Sequence, residues 1–174
     1  MATFQIQKSS STVNWTGKKV LGLHTGTINL AGGNVDISDG KIVGGEIEVD
    51  MTTIVTTDIQ DKKMHDEFLA HLHNDDFFAT DKFKTSKLLI SGSEKVANNK
   101  LKINGKLTIK DITHPVSFIA TVEVFTDFLH SLGEIVIDRT LYNIRYGSGR
   151  FIDNLGDKLI YDEFVLQFKL VGQL

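Results

Sequence analysis

Strict alternation of apolar and polar residues over much of the chain is the feature that most constrains its fold. In the clearest run, lysines and a threonine separate four apolar side chains: Leu101, Ile103, Leu107 and Ile109. Similar period-two runs recur along the chain, near residues 43–51, 116–124, 135–137 and 164–170, and the first of them places Val43 on the apolar face. Each run predicts a strand with one apolar and one polar face. Counting them gives about eight strands, which is typical of an antiparallel sheet closed into a barrel.

The dipeptide Asn104-Gly105 is an ambiguous signal inside the clearest run. Asn-Gly between apolar runs usually marks a tight hairpin. Here the alternation passes through the dipeptide in phase, because Gly105 falls on the same parity as the apolar residues on both sides. We therefore expect one long strand, with turns at 98–99 and near 111–113.

Residues 57–73 break the alternation and predict a single α-helix. Thr57 and Gln60 have the spacing of a capping box at its start. Every fourth residue then contributes to an apolar stripe, which consists of Met64, Phe68 and Leu72. Asn74 is a suitable residue for the end of the helix. The sequence thus predicts an all-β, eight-stranded antiparallel barrel with one helix, about 57–73, inserted between strands.

Composition excludes several classes of protein. The length of 174 residues suits a single domain over 1–174, and the net charge of −3 gives no electrostatic case for binding nucleic acid or an anionic membrane surface. The chain contains no cysteine and no apolar run of the roughly 18 residues that span a bilayer. The start lacks the pattern of a signal peptide, so we expect a cytoplasmic protein as given, or a periplasmic one if a leader has been removed.

The stretch AHLHNDDFF at 70–78 is the densest group of candidate metal ligands. A zinc site would draw on His65, His71, His73, Asp75 and Asp76. On a helix, however, His65 and His73 would lie about 12 Å apart, and His71 would point away from His73. A metal site using His71 and His73 therefore requires an extended chain and stays an alternative. We favour a structural role at the end of the helix.

Two arginines lie in the run IDRTLYNIRYG. Arg139 and Arg145 are six residues apart and would share one face of a regular strand. An arginine beside a tyrosine can hold a phosphate or a buried carboxylate, and an ion pair with an acidic residue is the favoured alternative for Arg145. Arg139 has the parity of Ile135 and Ile137, which predicts that it faces inward. Ser148 lies in Gly-Ser-Gly, which differs from the nucleophile elbow of serine hydrolases.

The predicted inner face of the barrel is almost entirely large and apolar. Eight strands enclose a space that either fills with side chains or holds one small ligand. A cavity with such walls would take an apolar ligand with few polar contacts. Periodicity leaves both a packed core and a cavity open.

Five stretches, in order, resemble motifs of one family: VNWTGKKVLGLHTGTINL, GGEIEVDMTTI, HLHNDDFF, INGKLTIKDITHPVSF and the closing IVIDRTLYNIRYGSGRFIDNLGDKLIYDEFVLQFKL. The chain resembles the YceI-like proteins, which are lipocalin-like barrels associated with binding polyisoprenoid lipids. One departure follows Asp-Phe-Phe, where the family often has Tyr-Pro and this chain has Phe83 and Lys84 later in ATDKFKTSKL.

The resemblance implies a binding protein and not an enzyme, with no cofactor. It implies an elongated lipocalin-like barrel, closed by the helix, that sequesters or transports an isoprenoid lipid or a quinone-like ligand. It also implies a homodimer as one assembly. The alternatives are a metal-dependent enzyme or sensor using His71 and His73, and a stress-linked scaffold whose surface binds other proteins.

The inward positions and the resemblance together give the predicted ligand-binding residues. His24, Arg139 and Tyr146 are expected near a polar head group at the mouth, Phe77 or Phe78 on the cavity wall, and His71 at the turn after the helix. The full predicted set comprises Trp15, His24, Ile28, Leu30, Val49, Met51, Phe68, Leu72, Phe77, Phe78, Leu107, Phe118, Phe125, Ile137, Arg139, Ile144, Tyr146, Phe164 and Phe168.

Overall fold

The computed structural model describes residues 1–174. Its one α-helix is α1 (Lys62–His73), and short 3₁₀ turns cover Lys8–Ser10, Arg139–Tyr142 and Gly156–Lys158. The strands are β1 (Ala2–Ile6), β2 (Thr12–Lys19), β3 (Gly22–Ser38), β4 (Lys41–Thr56), β5 (Thr85–Ala97), β6 (Lys100–Ile109), β7 (Ile112–Val124), β8 (Phe128–Asp138) and β9 (Ile160–Gln173). No helix has the length and apolar character needed to cross a membrane.

Eight of the strands close into an antiparallel barrel, as predicted. Each strand from β2 to β9 pairs with the next, and β9 returns to pair with β2. The short strand β1 extends the position of β2, because it pairs with β3 at residues 34–37 and with β9 at 172–173. One position in the barrel wall is therefore built from two consecutive segments of chain.

The Asn104-Gly105 dipeptide lies inside the continuous strand β6, which confirms the prediction of one long strand. Glycine is needed at this position because there is no room for a side chain, and not because the chain turns there. A Cβ atom on Gly105 would lie 2.5 Å from the carbonyl oxygen of Leu89 on the neighbouring strand. The turns flank β6 at 98–99 and 110–111.

A bulge in β4 reverses the expected orientation of one residue. Asp36 pairs with Gly44 while the next residue of β3, Ile37, pairs with Ile42, so Val43 is the extra residue. Consequently Val43 is 43% exposed and Ile42 is buried. The alternation predicted Val43 inside, and that prediction was wrong.

The helix begins five residues later than predicted, at Lys62. The expected capping box of Thr57 and Gln60 does not form, because the Thr57 amide still donates to the carbonyl of Thr25 in the sheet. Asp61 caps the helix instead, and its carboxylate accepts a hydrogen bond from the Met64 amide. The predicted end at Asn74 is confirmed.

The barrel has two distinct ends. The helix end carries α1, the hairpin turns at 20–21 and 110–111, and the irregular connection 139–159. The opposite end carries the turns at 39–40, 98–99 and 125–127. Side chains from the inner faces of the strands form one apolar core cluster between these ends.

Candidate functional site

The interior of the barrel is hollow. A cavity of about 490 Å³ runs through it, and 29 of the 39 residues that line it are hydrophobic. This volume falls within the range of about 300–1,000 Å³ found for small-molecule pockets. The structure thus resolves the choice between a packed core and a cavity in favour of the cavity.

Most of the predicted ligand-binding residues line this cavity. They come from the inner faces of the strands, from the buried face of α1 and from the segment after it. The set that the structure brings together is Trp15, His24, Ile28, Val49, Met51, Phe68, Leu72, Phe77, Phe78, Leu107, Phe118, Ile137, Arg139, Tyr146, Phe164 and Phe168.

Leu30, Phe125 and Ile144 lie away from the cavity wall. Leu30 is packed in the core cluster beside a register shift between β3 and β4. Phe125 follows the end of β7 at the opposite end of the barrel, where it is exposed and stacks on Phe128 with ring centroids 4.3 Å apart. Ile144 is fully buried within the connection 139–159, of which it is part, and its carbonyl oxygen accepts a hydrogen bond from Arg139.

The structure adds two groups of lining residues to those predicted. The deep wall includes Val35, Ile42, Ile90 and Leu129. Alternation carries a signal for such inward positions except at Ile42, where the bulge in β4 shifts the phase by one residue. The mouth lies at the helix end and includes Lys18, Lys19, Asp157, Lys158 and Tyr161. Most of these mouth residues lie at strand ends or in the connection 139–159, where no periodic pattern marks them.

An aromatic group places α1 over the cavity. Phe68 of the helix stacks on Trp15 of β2, with ring centroids 6.4 Å apart, and packs against the His24 ring of β3 in a tilted arrangement, at 4.5 Å. The Trp15 indole also donates a hydrogen bond of 3.2 Å to the carbonyl oxygen of Val55. The helix is thereby fixed to β2, β3 and β4 along its apolar stripe.

Asp58 ties the chain before α1 to the start of β3. Its carboxylate accepts hydrogen bonds from the Thr25 amide at 3.2 Å, the Thr56 hydroxyl at 2.8 Å and the His24 Nδ1 at 3.0 Å. Burial acts to raise the pKa of Asp58, but these hydrogen bonds and the charge of His24 together lower it below its usual value. The carboxylate therefore stays ionised at the edge of the mouth.

The histidines at the end of α1 have separate protein partners. His71 donates from Nε2 to Asp76 at 3.2 Å, and its ring lies edge-on against Phe77 and Tyr146. His71 therefore lies in the last turn of α1, holds the turn after the helix through Asp76, as expected, and also lines the cavity. Phe77 and Phe78 both line the cavity.

His73 points away from the cavity and fixes the helix to the barrel. Its Nε2 lies 3.1 Å from the carbonyl oxygen of Ile54, and its Nδ1 lies 2.6 Å from the Thr80 hydroxyl. Because a carbonyl only accepts, Nε2 is the donor in the first contact. No group of three or more His, Cys, Asp or Glu side chains is arranged to hold a metal ion.

Arg139 is a buried cation beside the mouth. Its guanidinium donates to the carbonyl oxygens of Ile144 at 2.9 Å, Ile160 at 3.1 Å and Tyr161 at 3.1 Å. Burial lowers the pKa of Arg139, and attraction by Asp162 and Asp138 offsets part of this effect. The predicted strand face shared with Arg145 does not form, because a 3₁₀ turn begins at Arg139 and Arg145 is exposed over the ring of Phe151.

An eight-stranded antiparallel barrel around an apolar cavity, partly covered by a helix at the end where the mouth lies, defines the lipocalin-like class of architecture. The chain belongs to the YceI-like family, whose domain model matches residues 4–172. Comparison with curated proteins found no match.

Three solved structures show the same fold. BcnA of Burkholderia cenocepacia superposes with a TM-score of 0.75 at 22% identity, over 95% of this chain and 98% of that one. A polyisoprenoid-binding domain from Saccharophagus degradans gives 0.72 at 12% identity, over 98% and 97% of the two chains. The Campylobacter jejuni YceI protein gives 0.60 at 15% identity, over 80% and 78%.

Proposed function

We propose that the protein binds, sequesters or carries a polyisoprenoid or similar amphiphilic lipid, without catalysis. The observation that carries this proposal is the cavity of about 490 Å³, which has a hydrophobic wall and a polar mouth at one end. Membership of the YceI-like family and the likeness to a polyisoprenoid-binding domain support a lipid ligand.

Burial of the tail would supply most of the binding energy. Apolar surface contributes about 25 cal/mol per Å² removed from water, so a tail burying about 400 Å² would gain about 10 kcal/mol. Association costs about 4–15 kcal/mol, and a long tail is therefore needed for tight binding. Affinity should rise with chain length until the tail reaches the far end of the cavity.

The polar head group is proposed to lie at the helix end. Lys18, Lys19 and Lys158 line the mouth there, together with Asp157 and Tyr161. A head group that accepts hydrogen bonds, such as a quinone ring, suits the lysine and tyrosine donors there. His24 and Tyr146 also line the cavity and are the aromatic groups we expect beside such a ring.

The only tryptophan of the chain gives a direct assay. Trp15 lines the cavity, so its fluorescence should report a ligand without a label. We expect delipidated protein to bind prenyl alcohols of increasing length with affinities that rise at least tenfold per isoprene unit before levelling off. Affinity that is independent of chain length would contradict the proposal.

A matched pair of variants on β8 sharpens this assay. Ser131→Leu adds bulk to the buried wall near the far end of the cavity, whereas Leu132→Phe adds bulk to the exposed outer face next to it. With Ser131→Leu, affinity should stop rising at a shorter prenyl chain length than with the unsubstituted protein. With Leu132→Phe, this chain length should not change. An equal effect of both variants would mean that the tail does not occupy this part of the lumen.

A further inference from the structure

One hairpin turn of the barrel consists of two aliphatic residues, which is unusual for a turn exposed to water. The chain makes four two-residue hairpin turns, and three are polar or contain glycine: Asp39-Gly40, Asn98-Asn99 and Lys110-Asp111. The fourth, between β2 and β3, is Val20-Leu21. Tight turns favour Gly, Asn and Asp, and a β-branched residue is a poor choice at such a position.

The aliphatic side chains of this turn are exposed. Val20 is 46% exposed, Leu21 is 72% exposed, and Leu23 at the start of β3 is 51% exposed. None of them lines the cavity, so they serve neither the core nor the proposed ligand site. We call residues 18–23, KKVLGL, the mouth hairpin.

The mouth hairpin adjoins the opening of the cavity. Lys18 and Lys19 line the mouth, and the amide of Val20 donates to the carbonyl oxygen of Leu159 in the connection 139–159. Other exposed apolar side chains also belong to segments at this end of the barrel, namely Met64 on α1 and Phe151 and Ile152 in the connection 139–159. The exposed aliphatic turn is therefore continuous with the cavity opening.

The charges beside the exposed aliphatic residues fit one kind of partner. Lys18 and Lys19 are exposed and form no ion pair, whereas Lys62 and Lys63 on the helix are paired with Asp66 and Glu67. Aliphatic residues flanked by free lysines match the boundary between the acyl chains and the anionic head groups of a bilayer. Lys18 and Lys19 give the hairpin a local positive charge although the whole chain carries −3, and this local charge favours an anionic bilayer over an uncharged apolar groove on a water-soluble partner.

We propose that the mouth hairpin docks the barrel on the surface of an anionic phospholipid bilayer. Val20 and Leu21 enter the interface between head groups and acyl chains, and Lys18 and Lys19 contact the head groups. The opening of the cavity then faces the lipid, so that a long-chain ligand passes between membrane and lumen with little exposure to water. Membrane docking is a property beyond ligand binding. It rests on the proposed function only for the reason why docking would be useful, which is transfer of the lipid.

The test measures binding of the full chain to vesicles by flotation. Vesicles of phosphatidylcholine mixed with phosphatidylglycerol should bind the protein, and phosphatidylcholine alone should bind it more weakly. Replacing the turn by the chain's own polar turn, Val20→Asn with Leu21→Asn, should reduce binding to both vesicles at least tenfold. The control pair Leu132→Asn with Val136→Asn removes similarly exposed residues, at 53% and 56%, from the barrel wall and should leave binding unchanged.

Charge and insertion can be separated in the same assay. Lys18→Gln with Lys19→Gln should weaken binding to the phosphatidylglycerol vesicles by roughly tenfold or more, because each lysine contributes about 1 kcal/mol near an anionic surface. Added salt should reproduce that loss in the unsubstituted protein.

The proposal is overturned if the unsubstituted protein binds neither vesicle, or if the two aliphatic pairs have the same effect. In that case the hairpin would bind a second copy of this chain or another protein, and not a bilayer. Trp15 fluorescence with prenyl alcohols, measured without vesicles, tests the cavity independently, so that failure of docking and failure of ligand binding are distinguishable.

Discussion

Trp15 and Gly26 lie directly opposite each other on β2 and β3, and the missing side chain of Gly26 provides the space that the Trp15 indole fills. A Cβ atom on Gly26 would lie 2.6 Å from the indole ring and 1.8 Å from the carbonyl oxygen of Val55, which also accepts the indole hydrogen bond. The glycine therefore allows the tryptophan to support α1 through Phe68.

Gly26→Ala should destabilise the fold and disturb the cavity wall. The added methyl group must displace both the indole and the β4 backbone, and overpacking of this kind costs about 1–3 kcal/mol. Gly32→Ala on the same strand is the control, because a Cβ atom there meets no atom within 4 Å. Urea unfolding of both variants checks the prediction, and equal midpoints would refute the packing argument.

Arg139→Met should cost about 3 kcal/mol or more. The substitution leaves the carbonyl groups of Ile144, Ile160 and Tyr161 without their donor. The Ile144 site is buried and the other two are partly buried, and a buried orphan costs about 1–3 kcal/mol. Arg145→Met is the control, since its exposed cation–π contact with Phe151 is worth only about 0.5–1 kcal/mol. Denaturant unfolding measures the stability of both variants. Similar losses of unfolding free energy would show that the Arg139 hydrogen bonds are not the main interactions that hold the connection 139–159 in place.

Asp58 should make stability sensitive to acid. Its hydrogen bonds lower its pKa in the folded state, so its contribution is present above the unfolded value of about 3.9 and is lost as pH falls through the lower folded pKa. Asp58→Asn should therefore flatten the loss of stability below about pH 4. Urea midpoints across this range test it.

The control for this pH series is Asp153→Asn. Asp153 is exposed and forms no ion pair or side-chain hydrogen bond. This variant should keep the acid sensitivity of the unsubstituted protein. If Asp58→Asn behaves in the same way, the network of Asp58 with His24, Thr25 and Thr56 does not contribute as argued.

His73→Ala should lower stability by about 1–3 kcal/mol without changing metal content. The ring bridges Thr80 and the Ile54 carbonyl, so its loss leaves a polar group of β4 unpaired. His65→Ala, which removes only a contact with the adjacent Asp66, should have little effect. Thermal unfolding and elemental analysis of both variants test the assignment, and a loss of bound metal with His73→Ala would restore the metal-site alternative.

Alternation predicted the barrel because most strands present one face to a common interior. Leu101, Ile103, Leu107 and Ile109 are all buried, and even the Asn-Gly signal between them was correctly assigned to the strand. The pattern failed at Val43. The next two residues, Gly44 and Gly45, allow a bulge that shifts the phase by one residue. A periodic signal carries no information about such shifts.

The helix start and the mouth depended on contacts distant in sequence. Thr57 has good capping chemistry, but pairing with Thr25 holds it in the sheet and leaves the cap to Asp61. Phe125 has a size suited to a cavity wall, yet it follows the end of β7 at the opposite end of the barrel. Tertiary pairing decides both outcomes, and local sequence does not encode it.

The central claim is that the lumen holds a long amphiphilic lipid, and extraction of the purified protein tests it most directly. Organic extraction followed by mass spectrometry should recover a polyisoprenoid or similar long-chain lipid in near-stoichiometric amount. Ser131→Leu should return shorter chains or less lipid, and Leu132→Phe should match the unsubstituted protein. Recovery of no lipid, or of the same trace mixture from all three proteins, would contradict the account.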